Sequence, residues 1–462
     1  MAILPITLPL LAENGLRFLF TFVDMFMLSG LVVNGTRYGD DAVAAVGLCG
    51  SFVFFINIIF RIVNSGSSIV IGQYNGASLP AKALRSVMTS VLFTVIVGAV
   101  LGLALGLLSR PIISAYRLNE IRSAFAGDYL TVYGAFCLTI GLNTGFATVL
   151  RAYGYSKGPM VVNIAANILN IFGNYCFIYG ALGMPQWGVT GVAVSTVVSQ
   201  GLAAAAMFIL ILKKKDIAFA LKKFALITRE SIREILRIGV PYAAEHLSYN
   251  LAAMVMQFMV ASMDFGLPPA LQVNLPAYTY AFIVSRFIAS ITLSTGQGTQ
   301  IITSYLVGAG RKEEAYRKVI KYFFWALGLA ALLTVAASLS RHAIFGLFPM
   351  EANVLALASS LVLMCMALET GRTWNLVIIS GLKGSGDVRF PVQMGVFSMW
   401  IIGVGGAAFF AFVLGMGVYG IWLGIALDEW TRGVIMFFRW RSKIWQTKQL
   451  IRTPLESEPT AE

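Results

Sequence analysis

The sequence predicts an all-α polytopic membrane protein in which twelve transmembrane helices form two six-helix lobes related by a parallel repeat. Of its 462 residues, 58% are hydrophobic and 12% are charged, whereas a soluble domain has roughly 25% charged residues. No charged side chain occurs between residues 158 and 212, and a helix needs only about 20 apolar residues to cross a bilayer. That stretch therefore holds two crossings. The third observation is an internal repeat, described below.

Breaks at glycine, proline and charged clusters divide the chain into twelve apolar segments. The first segment, MAILPITLPLL, has neither a basic leader nor a small-residue cleavage site, so we expect it to be the start of the first membrane helix. The predicted helices span residues 4–33, 42–74, 84–109, 124–150, 157–180, 188–212, 235–263, 273–307, 317–340, 353–381, 389–414 and 417–439.

The polar segments divide the chain into four predicted parts. An N-lobe of six helices covers residues 1–212, and a C-lobe of six helices covers residues 235–440. A basic cytoplasmic linker, residues 213–234, joins the lobes. Residues 441–462 form a polar cytoplasmic tail whose composition is typical of disorder.

The basic residues predict the orientation in the membrane. Of the 34 Lys and Arg, 24 fall on one side, five lie on the other side and five lie within helices. The 24 lie in turns and flanks around residues 82–85, 151–157, 213–237, 311–321 and 383–389 and in the tail from Arg439. The positive-inside rule then places both termini in the cytoplasm, in a multi-pass protein of the cytoplasmic membrane. The net charge of +13 therefore reflects topology and contact with lipid headgroups. Nucleic acid is not an expected partner.

A shift of 232 residues superposes the second half of the chain on the first. It brings Pro9 and Glu13 onto Pro241 and Glu245. Because six crossings is an even number, both copies enter the membrane in the same direction, as in transporters with parallel repeats. The same shift superposes Gly76 with Gly308, Ala77 with Ala309, Arg85 with Arg317, Asn143 with Asn375, Leu150 with Leu382, Gly154 with Gly386, and Pro159 with Pro391.

Several segments resemble the multidrug and toxic compound extrusion (MATE) transporters. They are VDMFMLSGL followed by AVAAVG, then IGQYNGA, LRAYGYSKGPM, NILNIFGNY and GVTGVAVST. The resemblance covers nearly the whole chain. It implies two six-helix lobes around a V-shaped central cleft, and export of drug-like cations in exchange for H⁺ or Na⁺. The implied protein has no cofactor besides the coupling ion, and a monomer is expected.

An acid within the first helix is the leading candidate for the coupling site. Insertion scales assign about 2.5–3.5 kcal/mol to an Asp at a helix centre, so such a residue is usually partnered and functional. Asp24 shares one helix face with Glu13 and Arg17. In one interpretation Glu13 and Arg17 form an ion pair, and Asp24 bonds to a neighbouring Asn or to Arg61. In the other, burial favours the neutral acid, so that Asp24 takes up H⁺ or Na⁺ and releases it on the opposite side. The resemblance implies that an acid at this position is the coupling residue of the N-lobe.

Three amides are the predicted companions of Asp24. Asn143 lies on the fourth helix, and Asn170 and Asn174 lie one turn apart on the fifth. Two amide oxygens on one face could bind one ion or one carboxyl group. Hydrogen bonding between helices is the alternative role. Some archaeal members of the resembled family have a second acid at the position of Asn174, which this chain lacks.

A second candidate site lies in the C-lobe. Glu245 is the repeat mate of Glu13, and the resemblance matches it to a cation-binding acid of NorM-like transporters. Together with Asn375 or Tyr249 it could offer the oxygen ligands that Na⁺ prefers. Glu369 is close to the usual acid of the tenth helix. The alternative is that Glu369 forms an internal pair with Arg372.

Other buried polar groups predict structural pairs. Arg61 and Arg286 lie within helices and each is expected to need an acid, since an unpaired guanidinium there is costly. Asp24 or Glu13 could serve Arg61. Arg432 is expected to pair with Asp428 or Glu429. The four cysteines are expected to be small buried hydrophobes.

Several enzyme classes are excluded by absent motifs. The chain has no Gly-rich phosphate loop ending in Lys and Ser or Thr, and no H-E-x-x-H segment. We therefore predict a transporter and not an enzyme. The first alternative function is a lipid-linked saccharide flippase of the same broad superfamily, which would need a cationic cleft. The second is a membrane-embedded enzyme, which the missing catalytic groups disfavour.

Overall fold

The computed structural model describes residues 3–33, 36–116, 118–217, 219, 227–268, 271–346 and 351–448. Residues 449–462 of the predicted tail lie outside this part. So do residues 218 and 220–226 of the predicted linker. A two-residue antiparallel pair, Val32–Val33 with Thr36–Arg37, follows the first helix. The helices are α1 (Leu4–Ser29), α2 (Gly39–Gly76), α3 (Pro80–Ser114), α4 (Glu120–Ala135), α5 (Cys137–Ala152), α6 (Lys157–Tyr179), α7 (Gly188–Leu212), α8 (Arg229–Met263), α9 (Asn274–Gly308), α10 (Lys312–Leu339), α11 (Arg341–Gly346), α12 (Ala352–Ser385), α13 (Arg389–Ser398), α14 (Gly406–Ala408) and α15 (Val418–Arg441).

These helices correspond to the twelve predicted crossings. Within the described residues, eight helices are long and apolar enough to span a membrane, and a ninth crossing is α4 with α5, bent by 47° at their junction. The other three predicted crossings are α1, α8 and α15, which carry the charged residues considered below. The eleventh crossing is the continuous run Arg389–Val413. It contains two π-helical stretches, Met399–Gly405 and Phe409–Val413, on either side of α14.

The chain forms two compact units. The N-unit comprises Leu8–Asn75 and Leu79–Ala243, and the C-unit comprises Met1–Thr7, Gly76–Ser78 and Ala244–Glu462. The N-unit core includes the buried side chains of Leu28, Phe60 and Leu130. The C-unit core is built around Trp422 and Tyr278, whose rings meet edge to face at 5.6 Å.

Local sequence signals set several helix ends. Thr228 and Ser231 form a reciprocal cap, because each backbone N–H donates to the other's hydroxyl oxygen at 3.3 Å. This cap starts α8 at Arg229, earlier than the predicted residue 235. The repeat is visible at the ends of the fourth crossings, where Gly154 and Gly386 adopt φ of 89° and 98°. These left-handed conformations suit glycine, which has no Cβ.

Apolar side chains occupy both the interior and the outer faces of the helices. Large hydrophobic residues such as Phe258 and Leu107 are 74% and 70% exposed, as expected for helices that face lipid. All four cysteines are free and buried, as predicted. They are Cys49, Cys137, Cys176 and Cys365.

Candidate functional site

Asp24 on α1 meets Asn174 on α6 inside the N-unit. The Asn174 Nδ2 group donates to Asp24 Oδ1 at 2.8 Å. Asn174 is completely buried, and Asp24 is partly buried. Among the described residues no Lys, Arg or His forms an ion pair with Asp24. The acid is thus held by an amide and has no basic partner in the described part of the chain.

Asn170 does not join this contact, although it shares a helix face with Asn174. Its Nδ2 group donates to Ser195 Oγ at 3.3 Å and to Thr196 Oγ1 at 3.1 Å, both on α7. The prediction that both amides contact one ion or carboxyl group is therefore not met by this geometry. The reason is that the two side chains reach different neighbouring helices, α1 and α7.

Glu13 bonds across the N-unit to two other helices. Arg151 Nη2 on α5 donates to Glu13 Oε2 at 2.5 Å, and Asn163 Nδ2 on α6 donates to Glu13 Oε1 at 2.8 Å. The predicted partner Arg17 has a side chain outside those that the structure describes. Neither Glu13 nor Asp24 bonds to Arg61 among the described contacts, so the predicted pairing of Arg61 with these acids is not found.

Asn143 also lies away from Asp24. Its Nδ2 group donates to Asn163 Oδ1 at 3.0 Å and to Gln200 Oε1 at 2.7 Å. The prediction that Asn143 lies beside Asp24 is corrected, because Asn143 on α5 bonds to α6 and α7 instead. Its α6 partner, Asn163, is the residue that donates to Glu13. A polar network therefore surrounds Glu13, separate from the Asp24–Asn174 contact.

Glu245 in the C-unit is bound to a lysine. Lys383 Nζ, in the last turn of α12, lies 2.6 Å from Glu245 Oε2, and both side chains are about nine-tenths buried. Two predictions are corrected. Asn375 is not a partner of Glu245, because Lys383 binds the Glu245 carboxylate and Asn375 donates to Glu429 instead. Lys383 is also not part of the turn predicted to follow residue 381, because α12 continues to Ser385 and the Lys383 side chain is buried there.

A cluster of five charged residues lies within the C-unit. Arg372 Nη1 donates to Glu369 Oε1 at 2.5 Å, which realises the predicted internal pair. The same guanidinium reaches Glu429 Oε1 at 3.3 Å. Arg432 pairs with Asp428 Oδ2 at 2.6 Å and with Glu429 Oε2 at 3.3 Å, as the sequence indicated. Three carboxyl groups therefore face two guanidinium groups.

Neutral polar groups complete this cluster. Ser285 Oγ donates to Glu369 Oε1 at 2.5 Å, Ser398 Oγ donates to Asp428 Oδ1 at 2.6 Å, and Asn375 Nδ2 donates to Glu429 Oε2 at 2.8 Å. The predicted site residue Asn375 thus contacts an acid of α15 that the sequence did not single out for binding. Buried charges of this kind need both opposite charges and hydrogen bonds.

A small cavity adjoins the cluster. Its volume is about 20 Å³, measured as the space open to the centre of a water molecule, and Tyr249, Tyr278, Asp428 and Glu429 are among its lining residues. About 10–15 Å³ by this measure is enough for one water molecule. The cavity therefore admits one water-sized ligand beside two acids and the predicted residue Tyr249.

Arg286 lies on the surface of its helix. Its side chain is exposed, and its guanidinium carbon lies 5.1 Å from the centre of the Phe282 ring. An aromatic face attracts a cation. The structure thus gives Arg286 an aromatic partner where the sequence predicted an acid.

A sequence profile of the MatE family matches the chain twice, at residues 9–176 and 241–409. This chain belongs to the MatE family. The two matches start 232 residues apart, the shift found within the sequence. The chain is 33% identical over 443 residues to the "Uncharacterized transporter YisQ" of Bacillus subtilis, with 96% of this chain and 94% of that relative covered. It is 23% identical to the "Probable multidrug resistance protein NorM" of Thermotoga maritima, with 97% and 94% covered.

Solved transporter structures share the fold of this MatE protein. "Crystal structure of MATE in complex with MaD3S" has a TM-score of 0.83 at 20% identity, with 96% of this chain and 95% of that one covered. A transporter titled "Reverse polarity of binding pocket suggests different function of a MOP superfamily transporter from Pyrococcus furiosus" has a TM-score of 0.81 at 20% identity, with the same coverage. The predicted fold of twelve helices in two repeats is confirmed.

Sequence reasoning missed two bases of this MatE chain, Arg151 and Lys383. Both were counted as basic residues of cytoplasmic turns. The repeat contained the signal that could have found them, because the shift that brings Glu13 onto Glu245 also brings Arg151 onto Lys383. An acid and a base that recur together at one shift indicate a contact that both repeats make between the same two crossings.

Proposed function

We propose that this MatE protein is a secondary active multidrug efflux antiporter, which exchanges H⁺ or Na⁺ for amphiphilic organic cations by alternating access. In this proposal it acts as a monomer in the cytoplasmic membrane, with both termini in the cytoplasm. The names of several curated relatives as multidrug resistance proteins support the substrate class.

The observation that carries the proposal is the Asp24–Asn174 contact. An acid on a membrane helix, held by one amide at 2.8 Å, can be stable either neutral or with a bound cation. Every other acid discussed above has a basic partner within 3.3 Å. Each of those acids already has a cationic side chain beside it, whereas Asp24 has none among the described residues, so Asp24 is the first candidate for the coupling ion.

The mechanism follows from linkage. If the coupling ion and the drug favour different states of the protein, each lowers the affinity for the other by the same factor. An ion that binds Asp24 from outside then drives release of the drug. The ion leaves from the state that is open to the cytoplasm, and the next drug molecule favours that release.

The cavity beside Asp428 and Glu429 supports a second cation site in the C-unit, at a different place from Glu245. Three carboxyl groups against two guanidinium groups leave one negative charge in the cluster. One proton or one monovalent cation in the cavity would balance it. If this site serves transport, Asp428→Asn should weaken the response of efflux to a cation gradient while Glu245→Gln leaves that response unchanged. A weaker response in Glu245→Gln and an unchanged response in Asp428→Asn would instead indicate that the cation site of the C-unit includes Glu245.

Transport by the purified protein in liposomes tests the proposed function. An imposed pH gradient or sodium gradient should drive ethidium or a fluoroquinolone out of its compartment, and collapse of that gradient should stop it. Expression in cells that lack other pumps should raise resistance to the same compounds. Absence of both effects would contradict drug antiport.

A lipid-linked saccharide flippase is the alternative in the same superfamily. Its substrate carries a pyrophosphate, which a cationic site would bind. The partly buried Asp24 disfavours such an anion, since like charges repel strongly in a low dielectric. Translocation of a fluorescent lipid-linked saccharide in liposomes, without any drug transport, would favour this alternative.

A further inference from the structure

A row of asparagines lies along α6. Asn163, Asn167, Asn170 and Asn174 are spaced four, three and four residues apart, which places them on one face of a helix. Its ends are eleven residue steps apart, or roughly 16 Å at 1.5 Å per residue. A membrane helix that repeats an amide in this way presents a polar stripe to the interior of its unit.

The two ends of this row meet two acids of α1. Asn163 donates to Glu13, and Asn174 donates to Asp24, each at 2.8 Å. Each bonded pair is separated by 150 residues in sequence, so α1 and α6 run in the same direction and in register. The row therefore connects the level of Asp24 with the level of Glu13.

Side chains of α7 and α5 connect Asn170 with Asn163 through hydrogen bonds over most of the distance between Asp24 and Glu13. From Asn170 the contacts continue to Thr196 on α7 at 3.1 Å. Gln200 lies one turn farther along α7 and accepts from Asn143, which also donates to Asn163. We call the side chains from Asp24 to Glu13 along this route the amide path.

Only two steps of the amide path lack a direct hydrogen bond. They are Asn174 to Asn170 and Thr196 to Gln200, and each is one turn of a single helix. Side chains one turn apart are roughly 5–6 Å apart at their Cβ atoms, and one water molecule can bridge such polar groups.

Buried atoms along the amide path lack partners among the described residues. They are Asn174 Oδ1 beside Asp24, Asn143 Oδ1 in the middle, and Arg151 Nε beside Glu13. Buried polar groups are nearly always hydrogen-bonded to protein or to ordered water. Unpaired atoms at three levels of one route therefore point to water along it.

We propose that the amide path conducts protons between Asp24 and the end of the N-unit at which Glu13 and Arg151 lie. This inference rests on the proposed function and names H⁺ as the ion released at Asp24. The proton of the Asp24 carboxyl group passes to water held at Asn174 Oδ1 and then to water at the Thr196–Gln200 step. Water beside Asn143 Oδ1 and Arg151 Nε continues the relay past the bonded amides and donates to the Glu13 carboxylate. Each water accepts one proton and donates another. Glu13 then releases one proton to the adjacent aqueous phase and returns to its pair with Arg151. The amides hold the waters in place and are not themselves protonated.

The path suits H⁺ better than Na⁺. A sodium ion prefers several oxygen ligands at every position it occupies. The amide path offers only single amide or hydroxyl groups, separated in two places by a gap that one water molecule bridges. Arg151 and Asn163 both donate to the Glu13 carboxylate, so the relayed proton is passed on to the aqueous phase. Such a route selects H⁺ over Na⁺, because protons pass from one water to the next while a sodium ion would have to travel the whole length itself.

Two variants along the path test it without changing Asp24 or Glu13. In Asn163→Leu and Gln200→Leu, drug efflux driven by a pH gradient in liposomes should fall roughly tenfold, a size typical of residues that couple distant sites. Exchange of labelled for unlabelled drug across the same membranes needs no net proton movement, so it should keep its wild-type rate. Asn163→Ser retains a polar group for water and should recover most of the driven rate.

Asn57→Leu is the matched control. The Asn57 amide donates to Val53 O of its own helix at 2.7 Å, so the same substitution there should leave both rates unchanged. Wild-type driven efflux in Asn163→Leu and Gln200→Leu would overturn the path, as would an equal loss of drug exchange. Efflux driven by sodium alone would also overturn it, while leaving the proposed antiport intact. Driven efflux by Asp24→Asn would instead contradict the proposed function.

Discussion

The two repeats share contacts but differ in charge. In the N-unit Asn143 donates to Gln200, and in the C-unit Asn375 donates to Glu429, at 2.7 and 2.8 Å. These bonds are equivalent, because superposing GVTG of α7 on GVYG of α15 places Gln200 opposite Glu429. The Glu13–Arg151 and Glu245–Lys383 pairs are likewise equivalent at the shift of 232.

Position 24 marks the main difference between the repeats. Its mate in the second half is Met256, and residues 395–406, which take the place of the asparagine row, contain no Asn, Asp or Glu. The C-unit instead pairs Glu369, Asp428 and Glu429 with guanidinium groups and Glu245 with an ammonium group. One repeated frame thus carries an acid without a basic partner among the described residues in one unit and ion-paired acids in the other.

Removal of the acid at position 24 should have the largest effect. Asp24→Asn keeps the shape of the side chain but removes its titration, so we expect coupled efflux to fall to background. The protein should remain in the membrane at wild-type level, because Asn can still bond to Asn174. Efflux assays together with membrane immunoblots check this. Wild-type coupled efflux in this variant would remove Asp24 from the mechanism.

Removal of a base from the C-unit cluster should cost the most stability. Arg432→Met leaves Asp428 and Glu429 without their shared guanidinium, and breaking a buried ion pair costs roughly 3–5 kcal/mol. Thermal unfolding in detergent measures the loss. Arg110→Met removes an exposed ion pair, with Asp128, and should change the midpoint little. Equal effects of the two substitutions would refute the difference in burial.

Removal of Lys383 should have a smaller effect. Lys383→Met leaves one buried acid, Glu245, without its cation, whereas Arg432→Met affects two acids. We therefore expect a loss near the lower end of the same range, about 3 kcal/mol. Adding Glu245→Gln should recover part of that loss, since no unpaired charge remains. If the double variant is as unstable as the sum of the single variants, the two side chains do not form the pair described.

The smallest expected effect is a gain at position 395. Gly395 is the repeat mate of Asn163, and a Cβ atom there would lie 3.5 Å from Glu245 Oε1, an ordinary contact. Gly395→Asn should therefore supply the amide bond that Glu13 already has, worth roughly 1 kcal/mol. A raised unfolding midpoint, absent when Glu245→Gln is added, supports this. A lowered midpoint would show that the two repeats differ at this level.

The sequence predicted the helices and the repeat because hydropathy and recurring polar positions act over long stretches of chain. It also predicted the pairs Glu369–Arg372 and Asp428–Arg432, because each pair lies within one helix turn. A contact with an asparagine was one of its options for Asp24, because a buried acid needs a polar partner. It could not decide which helix each asparagine faces, since periodicity fixes a face but not the neighbour that covers it.

The pairs missed by the sequence join distant segments. Lys383 bonds to a residue 138 positions away, so no local pattern indicates it. The boundary of α12 was placed a few residues too early, which moved Lys383 into a turn. Within a membrane helix, one extra turn decides whether a lysine meets headgroups or a buried acid.

Proton release on drug binding tests the central claim most directly. Ethidium added to the purified protein in weakly buffered detergent solution should release about one proton per bound drug, as reciprocal linkage at one acid requires. The Asp24→Asn variant should bind ethidium and release none. Equal proton release by the variant and the wild type would contradict the account.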